Sequence, residues 1–173
     1  MPLLAAATFL LWFTPGTAFA ASGDIGCIEA KLGPAAMQRI GEGVVAAADR
    51  GGNAASALDA DREAFLAARA ACRASGSWSP DAVQVAVSYT QARATKLGSE
   101  KALRSDGLDP AKLTSIYAGL PVQDRKSLIE KASAGALAAV KAVSAQPQAR
   151  RHALFYFSAL AALEFYPAEF AAA

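Results

Sequence analysis

The chain reads as an all-helical bundle. About a quarter of its residues are alanine, the residue of highest intrinsic helix propensity. Apolar side chains recur every three or four positions in segment after segment. Ser79-Pro80 and Asp109-Pro110 repeat the pairing of a capping side chain with a first-turn proline that opens helices. Clusters of strand-favouring residues are scarce. These features predict five or six helices in one domain, residues 21–173, stapled by a disulfide.

Ahead of that domain, residues 1–20 read as a signal peptide. Leu3 to Phe13 is a nearly unbroken apolar run, Pro15-Gly16 ends it, and Ala18-Phe19-Ala20 supplies the small-x-small pattern of a cleavage site. The run is short of the roughly 20 residues that span a bilayer, so no stable membrane span is expected after processing. The n-region carries no Lys or Arg, a departure from the usual pattern. The expected address is the periplasm or the medium. There, Cys27 and Cys72 should pair, because thiols meeting an oxidising compartment persist as disulfides. Their separation of 45 residues corresponds, in the chain-entropy model, to at most about 4 kcal/mol of stabilisation.

In the first helix Met37, Ile40, Val44 and Ala48 form one apolar stripe, preceded by a turn with Ile25, Ile28 and Leu32. Gly33-Pro34 is expected to kink or split this helix. Gly41 and Gly43 are costly inside it unless another backbone packs against them. Arg50-Gly51-Gly52-Asn53 marks a loop. The second helix should begin near Ser56 or Asp59, with Leu58, Phe65, Leu66 and Cys72 on one face. Cys72 then points at the helix bearing Cys27, which fits an antiparallel pair.

Ser75-Gly76-Ser77-Trp78 breaks the chain, and Ser79-Pro80-Asp81 starts a third helix expected to end near Leu97. Val83, Val85, Val87 and Tyr89 alternate as a strand would, but a lone strand would have no partner, which favours helix. A short helix from Pro110 through Tyr117 should stop at Gly119 and Pro121. One long helix is expected over 121–145, burying Leu128, Ile129, Ala132, Ala136, Val140 and Val143. The last, over 148–166, is apolar on most sides and so belongs in the core. Ala171-Ala172-Ala173 should fray.

Little in this chain points to catalysis. His152 is the only histidine, which removes paired-imidazole metal sites and leaves a single candidate base. Its neighbours Arg150 and Arg151, together with a helix start, should disfavour its protonation. Asp59, Asp61 and Glu63 fit a solvated helix start, and no calcium-loop pattern is present. Gly41-Glu42-Gly43 lacks the remainder of either a dinucleotide or a phosphate loop. We therefore expect no cofactor and no metal. Scattered basic residues and a net charge of +2 give no stripe for nucleic acid.

Binding is the stronger expectation, with another exported protein as the partner. Its candidate residues are Trp78, Arg150, Arg151, His152, Tyr156, Tyr166 and Phe170. Tyr156, Tyr166 and Phe170 fit an exposed patch as well as core filling, and Trp78 fits a contact residue as well as a cover for the bundle end. The functional expectation is a non-enzymatic adaptor or chaperone-like factor. The alternatives are a carrier with an apolar cavity and an enzyme relying on His152.

Overall fold

The computed structural model describes residues 23–51 and 59–173. The leader expected over 1–20, and Ser56 and Leu58 of the second helix, lie outside the described residues. Within them the chain is all-helical: α1 (Cys27–Asp49), α2 (Arg62–Gly76), α3 (Pro80–Ser105), α4 (Pro110–Ala118), α5 (Val122–Glu130), α6 (Ala134–Val143) and α7 (Pro147–Ala172). Seven helices replace the five or six expected. Ser133 accounts for the difference by breaking the segment expected to be one helix over 121–145. Its Oγ accepts from Ala136 N at 3.1 Å and donates to Asp124 Oδ1 at 2.6 Å, while its own N–H goes to Ser127 Oγ at 2.9 Å. Serine side chains thereby replace backbone partners and restart the helix.

α3 and α7 form an antiparallel spine. Ser79, the N-cap of α3, accepts from Ala82 N and donates to the Ala173 carbonyl at the end of α7, 3.0 Å in each case. Asp106, the C-cap of α3, meets His152 near the start of α7. The valine-rich segment 80–90 lies within α3, and this helix runs past Leu97 to Ser105. α7 likewise runs past Tyr166 and across Pro167 to Ala172. The expected fraying is absent at Ala171 and Ala172, because Phe170 is anchored edge-on against Trp78, centroids 5.2 Å apart.

α1 runs alongside α3 in the same direction. Arg93 grips Glu29 through Nε and Nη2, and Lys101 reaches Glu42 at 2.7 Å. Between these ion pairs the backbones nearly touch. A Cβ on Gly41 would overlap the Ala94 carbonyl and lie 2.9 Å from Gly98 N; one on Gly98 would overlap the Gly41 carbonyl and lie 2.9 Å from Glu42 N. Of the two glycines of α1 that looked costly, Gly41 is the one this crossing requires. Upstream, α1 breaks at Gly33 (φ 76°, ψ 166°), and Pro34 offers no N–H to the Ala30 carbonyl.

α2 packs antiparallel to α1, joined by the Cys27–Cys72 disulfide and by Arg39 on Asp61. Asp61 is buried in that pair and is not part of a solvated helix start. The apolar face of α2 also differs from expectation: Phe65, Ala68 and Cys72 are buried, whereas Leu66 is 48% exposed. Leu66 directly follows Phe65, about 100° further round the helix, so both cannot face α1.

Two apolar clusters result. The first joins Ile28, Met37, Ile40, Phe65, Trp78 and Phe170. The second joins Leu103, Leu113, Tyr117, Leu128, Val140 and Phe157 beneath α4, α5 and α6. At its rim Glu164 accepts from Tyr117 Oη at 2.5 Å and from Arg125 through Nε and Nη2. The guanidinium holds the Glu164 carboxyl below the usual range, against partial burial, and the Tyr117 hydroxyl adds to that effect. Burial first, then Glu164, push the Tyr117 phenol upward.

Three substitutions test these contacts through stability. Gly98→Ala should cost more than about 2 kcal/mol in urea unfolding, since backbone cannot yield as a side-chain end does. Gly119→Ala, whose Cβ would meet its nearest atom at 3.5 Å, should change stability by less than about 0.5 kcal/mol. Glu164→Gln should cost about 1 kcal/mol at pH 7, a figure kept small by solvent screening. Because the native carboxyl is depressed, that contribution is complete above its unfolded-state range near pH 4.3 and fades as pH falls through the native value. The gap between wild type and variant should therefore narrow in unfolding curves recorded in acid.

Candidate functional site

His152 occupies the second turn of α7, only 3% exposed. Its Nδ1 lies 2.7 Å from Asp106 Oδ2, and its Nε2 lies 3.1 Å from both oxygens of Asp49. Asp49 is the last residue of α1 and Asp106 caps α3, so one imidazole joins three helix ends. Each carboxylate stands at the negative end of its helix, where a cation is favoured. Both ring nitrogens face carboxylate oxygens. The sequence directs attention to Arg150 and Arg151 as the ring's electrostatic surroundings; the fold places two acids from distant segments directly on it instead.

Arg151 makes no contact with the ring itself but joins the ring's partner Asp49, Nε lying 4.0 Å from Oδ1. Its Nη1 donates to the Ala48 carbonyl at 3.4 Å, and Gln148 Nε2 donates to Asp49 at 3.3 Å. Arg150 makes no contact with the imidazole among the described hydrogen bonds and ion pairs. With both nitrogens engaged and almost no exposure, His152 serves as a clasp. No group of three or more potential metal ligands occurs among the described residues, and no described helix is long and apolar enough to cross a membrane.

The aromatic candidates separate. Tyr156 is 2% exposed and therefore part of the core: its hydroxyl pairs with Thr114 Oγ1 at 2.8 Å and its ring lies under Lys96 Nζ. Phe170 and Trp78 are 4% exposed and pack on each other, closing the end of the bundle. Tyr156 and Phe170 therefore do not join Tyr166 in the displayed patch that was one reading of the sequence. Trp78 covers the bundle end, as its other reading had it.

Tyr166 behaves differently. It is half-buried and lines an open groove of about 290 Å³ between α3, α5 and α7. The floor is Ala92, Ala159 and Ala162; Phe155, Ile129 and Tyr166 rise around it, with Gln91, Thr95 and Ser158 offering polar atoms. Burial and the nearby Glu169 push the Tyr166 phenol upward, and a hydrogen bond to Ser88 pulls the other way. Phe155 and the alanine floor were not singled out from the sequence. Their signal, small residues at helical spacing on two helices, is indistinguishable from ordinary core packing until the helices are paired.

No family model matches the chain, and neither a curated protein nor a solved structure matches it.

Removing the clasp provides a direct test of its role. His152→Ala leaves Asp106 and Asp49 facing each other without their shared partner, and should cost about 3 kcal/mol in chemical denaturation. A loss under about 0.5 kcal/mol would show that the ring does not hold the helix ends.

Proposed function

We propose that this protein is an exported, non-enzymatic binding protein that receives a helix of a partner in the groove between α3, α5 and α7. The observation carrying this reading is the groove's construction. Buried alanines let a second backbone approach closely, while Phe155, Ile129 and Tyr166 supply apolar walls and Gln91, Thr95 and Ser158 a polar margin. This is the layout of helix-in-groove recognition, an apolar floor with anchoring side chains at its edges. The burial of His152 and the engagement of both its ring nitrogens by Asp106 and Asp49 support a non-enzymatic role, since the one imidazole is committed inside the fold. The joined Cys27 and Cys72 agree with an oxidising compartment.

A photo-crosslinking residue at Phe155 in the cells of origin should trap one discrete adduct, and Ala159→Glu in the same chain should abolish it. Crosslinking from Ala111, on the exposed side of α4, serves as the control. Equal adduct patterns from both positions would count against the groove.

A second reading, carriage of a small apolar ligand, draws on the cleft at the break in α1. It holds about 330 Å³ between Pro34, Met37 and Leu97 beside the Arg93–Glu29 pair. Native mass spectrometry of the purified protein distinguishes the two, since a carrier should retain bound mass.

A further inference from the structure

The face of α2 turned away from α1 forms, with the start of α3, a second groove, of about 690 Å³. Its floor and far wall are apolar, from Ala70, Ala74, Trp78 and Val83, and Leu66 stands 48% exposed at its edge. Arg69 and Arg73 line the same groove. Both are exposed, and neither guanidinium has a hydrogen-bond or ion-pair partner among the described residues. Of the other exposed arginines, Arg39 pairs with Asp61, Arg62 with Asp59 and Arg104 with Glu100, while Arg50 at the end of α1 also lacks a side-chain partner among the described residues. No acidic side chain lines the groove. It therefore joins two uncompensated cations to an uncovered aliphatic side chain, a combination that surface solvation alone does not call for.

The two arginines are four residues apart, so they rise about 6 Å along one side of α2. Two carboxylates at i, i+4 on a facing helix have the same spacing. A helical occupant is favoured over an extended one, because both walls of the groove are helices whose backbones are already paired and present no strand edge. A membrane surface would leave the recess unfilled, and nucleic acid would need a longer run of cations than two.

We infer that this groove docks an acidic amphipathic helix of a partner protein, two of its carboxylates on Arg69 and Arg73 and an aliphatic residue against Leu66 and Val83. Guanidinium pairs bidentately with carboxylate, which sets the register, and Leu66 supplies apolar area. The site is distinct from the groove between α3, α5 and α7. A partner could occupy either one alone.

The test uses the full chain with Trp12→Phe, which leaves Trp78 in the groove as the only indole. The probe is a synthetic helical peptide of about 18 residues, long enough to hold helix on its own, with Glu at i, i+4 beside Leu. Titration should shift Trp78 emission, with a dissociation constant on the order of 100 µM at low salt. Binding should weaken as salt rises from about 0.05 M to 0.5 M. Arg69→Glu with Arg73→Glu should reduce affinity more than tenfold, and the same peptide with Lys in place of Glu should bind that double variant in preference to the parent chain. Because both arginines are exposed, the variant should keep its helical circular dichroism and its disulfide, and the charge-swapped rescue excludes simple misfolding. No response to the acidic peptide, equal response to the two peptides, or tighter binding to phosphatidylglycerol vesicles than to the peptide would overturn the proposal. An adduct from Phe155 in a chain that ignores the acidic peptide would sink this inference and leave the binding function standing.

Discussion

The structure depends on the crossing of α1 over α3 at Gly41 and Gly98, where neither backbone leaves room for a Cβ on the other. Helices normally pack 8 to 10 Å apart because side chains separate them. With glycine on both sides the axes draw in, and ion pairs join the two helices along their length. Glu42 reaches Lys101, and Glu29 reaches Arg93. The same approach brings the end of α1 beside the end of α3, so that Asp49 and Asp106 can close on one imidazole. A larger residue at the crossing would displace this whole set of contacts together.

That arrangement divides the stabilising work between two ends. At one end Trp78, Phe170 and the Cys27–Cys72 bond gather α1, α2, the start of α3 and the last turn of α7. At the other, α4, α5 and α6 wrap the first half of α7 around Leu103, Phe157 and Tyr117. Only α3 and α7 traverse both clusters. The polar groups between the ends are paired with care: Tyr156 with Thr114, Lys96 with Glu100, His152 with its two acids. Among the described residues Ser99 is the exception, a fully buried hydroxyl without a hydrogen-bond partner.

The functional reading follows from which groups are consumed and which are left over. His152 is the residue that a search for catalysis finds first, and the fold consumes both its nitrogens. Arg69, Arg73 and Leu66 carry no motif, and the fold leaves all three on display. An unpaired cation beside an uncovered aliphatic group is more informative here than a lone imidazole, because partners must meet a protein through what its own packing has not used.

Composition and local patterning determined the helical class, the start of α3 at Ser79-Pro80, the start of α4 at Asp109-Pro110, the break at Gly33-Pro34 and the pairing of the two cysteines. The helix starts and the break are decided within a turn or two of chain, by a cap or a missing N–H, and the cysteines, 45 residues apart, by having no other partner to choose. The tertiary structure alone decided what depends on residues far apart meeting. Asp49 and Asp106 lie 103 and 46 residues from His152, and nothing local to position 152 announces them. Leu66 reads as core beside Phe65 until α1 takes up the other face of α2, and Ser133 reads as mid-helix until Asp124 and Ser127 bind it. Tyr156, Phe170 and Trp78 could be displayed or buried on sequence grounds, and the choice fell to the helices that came to cover them.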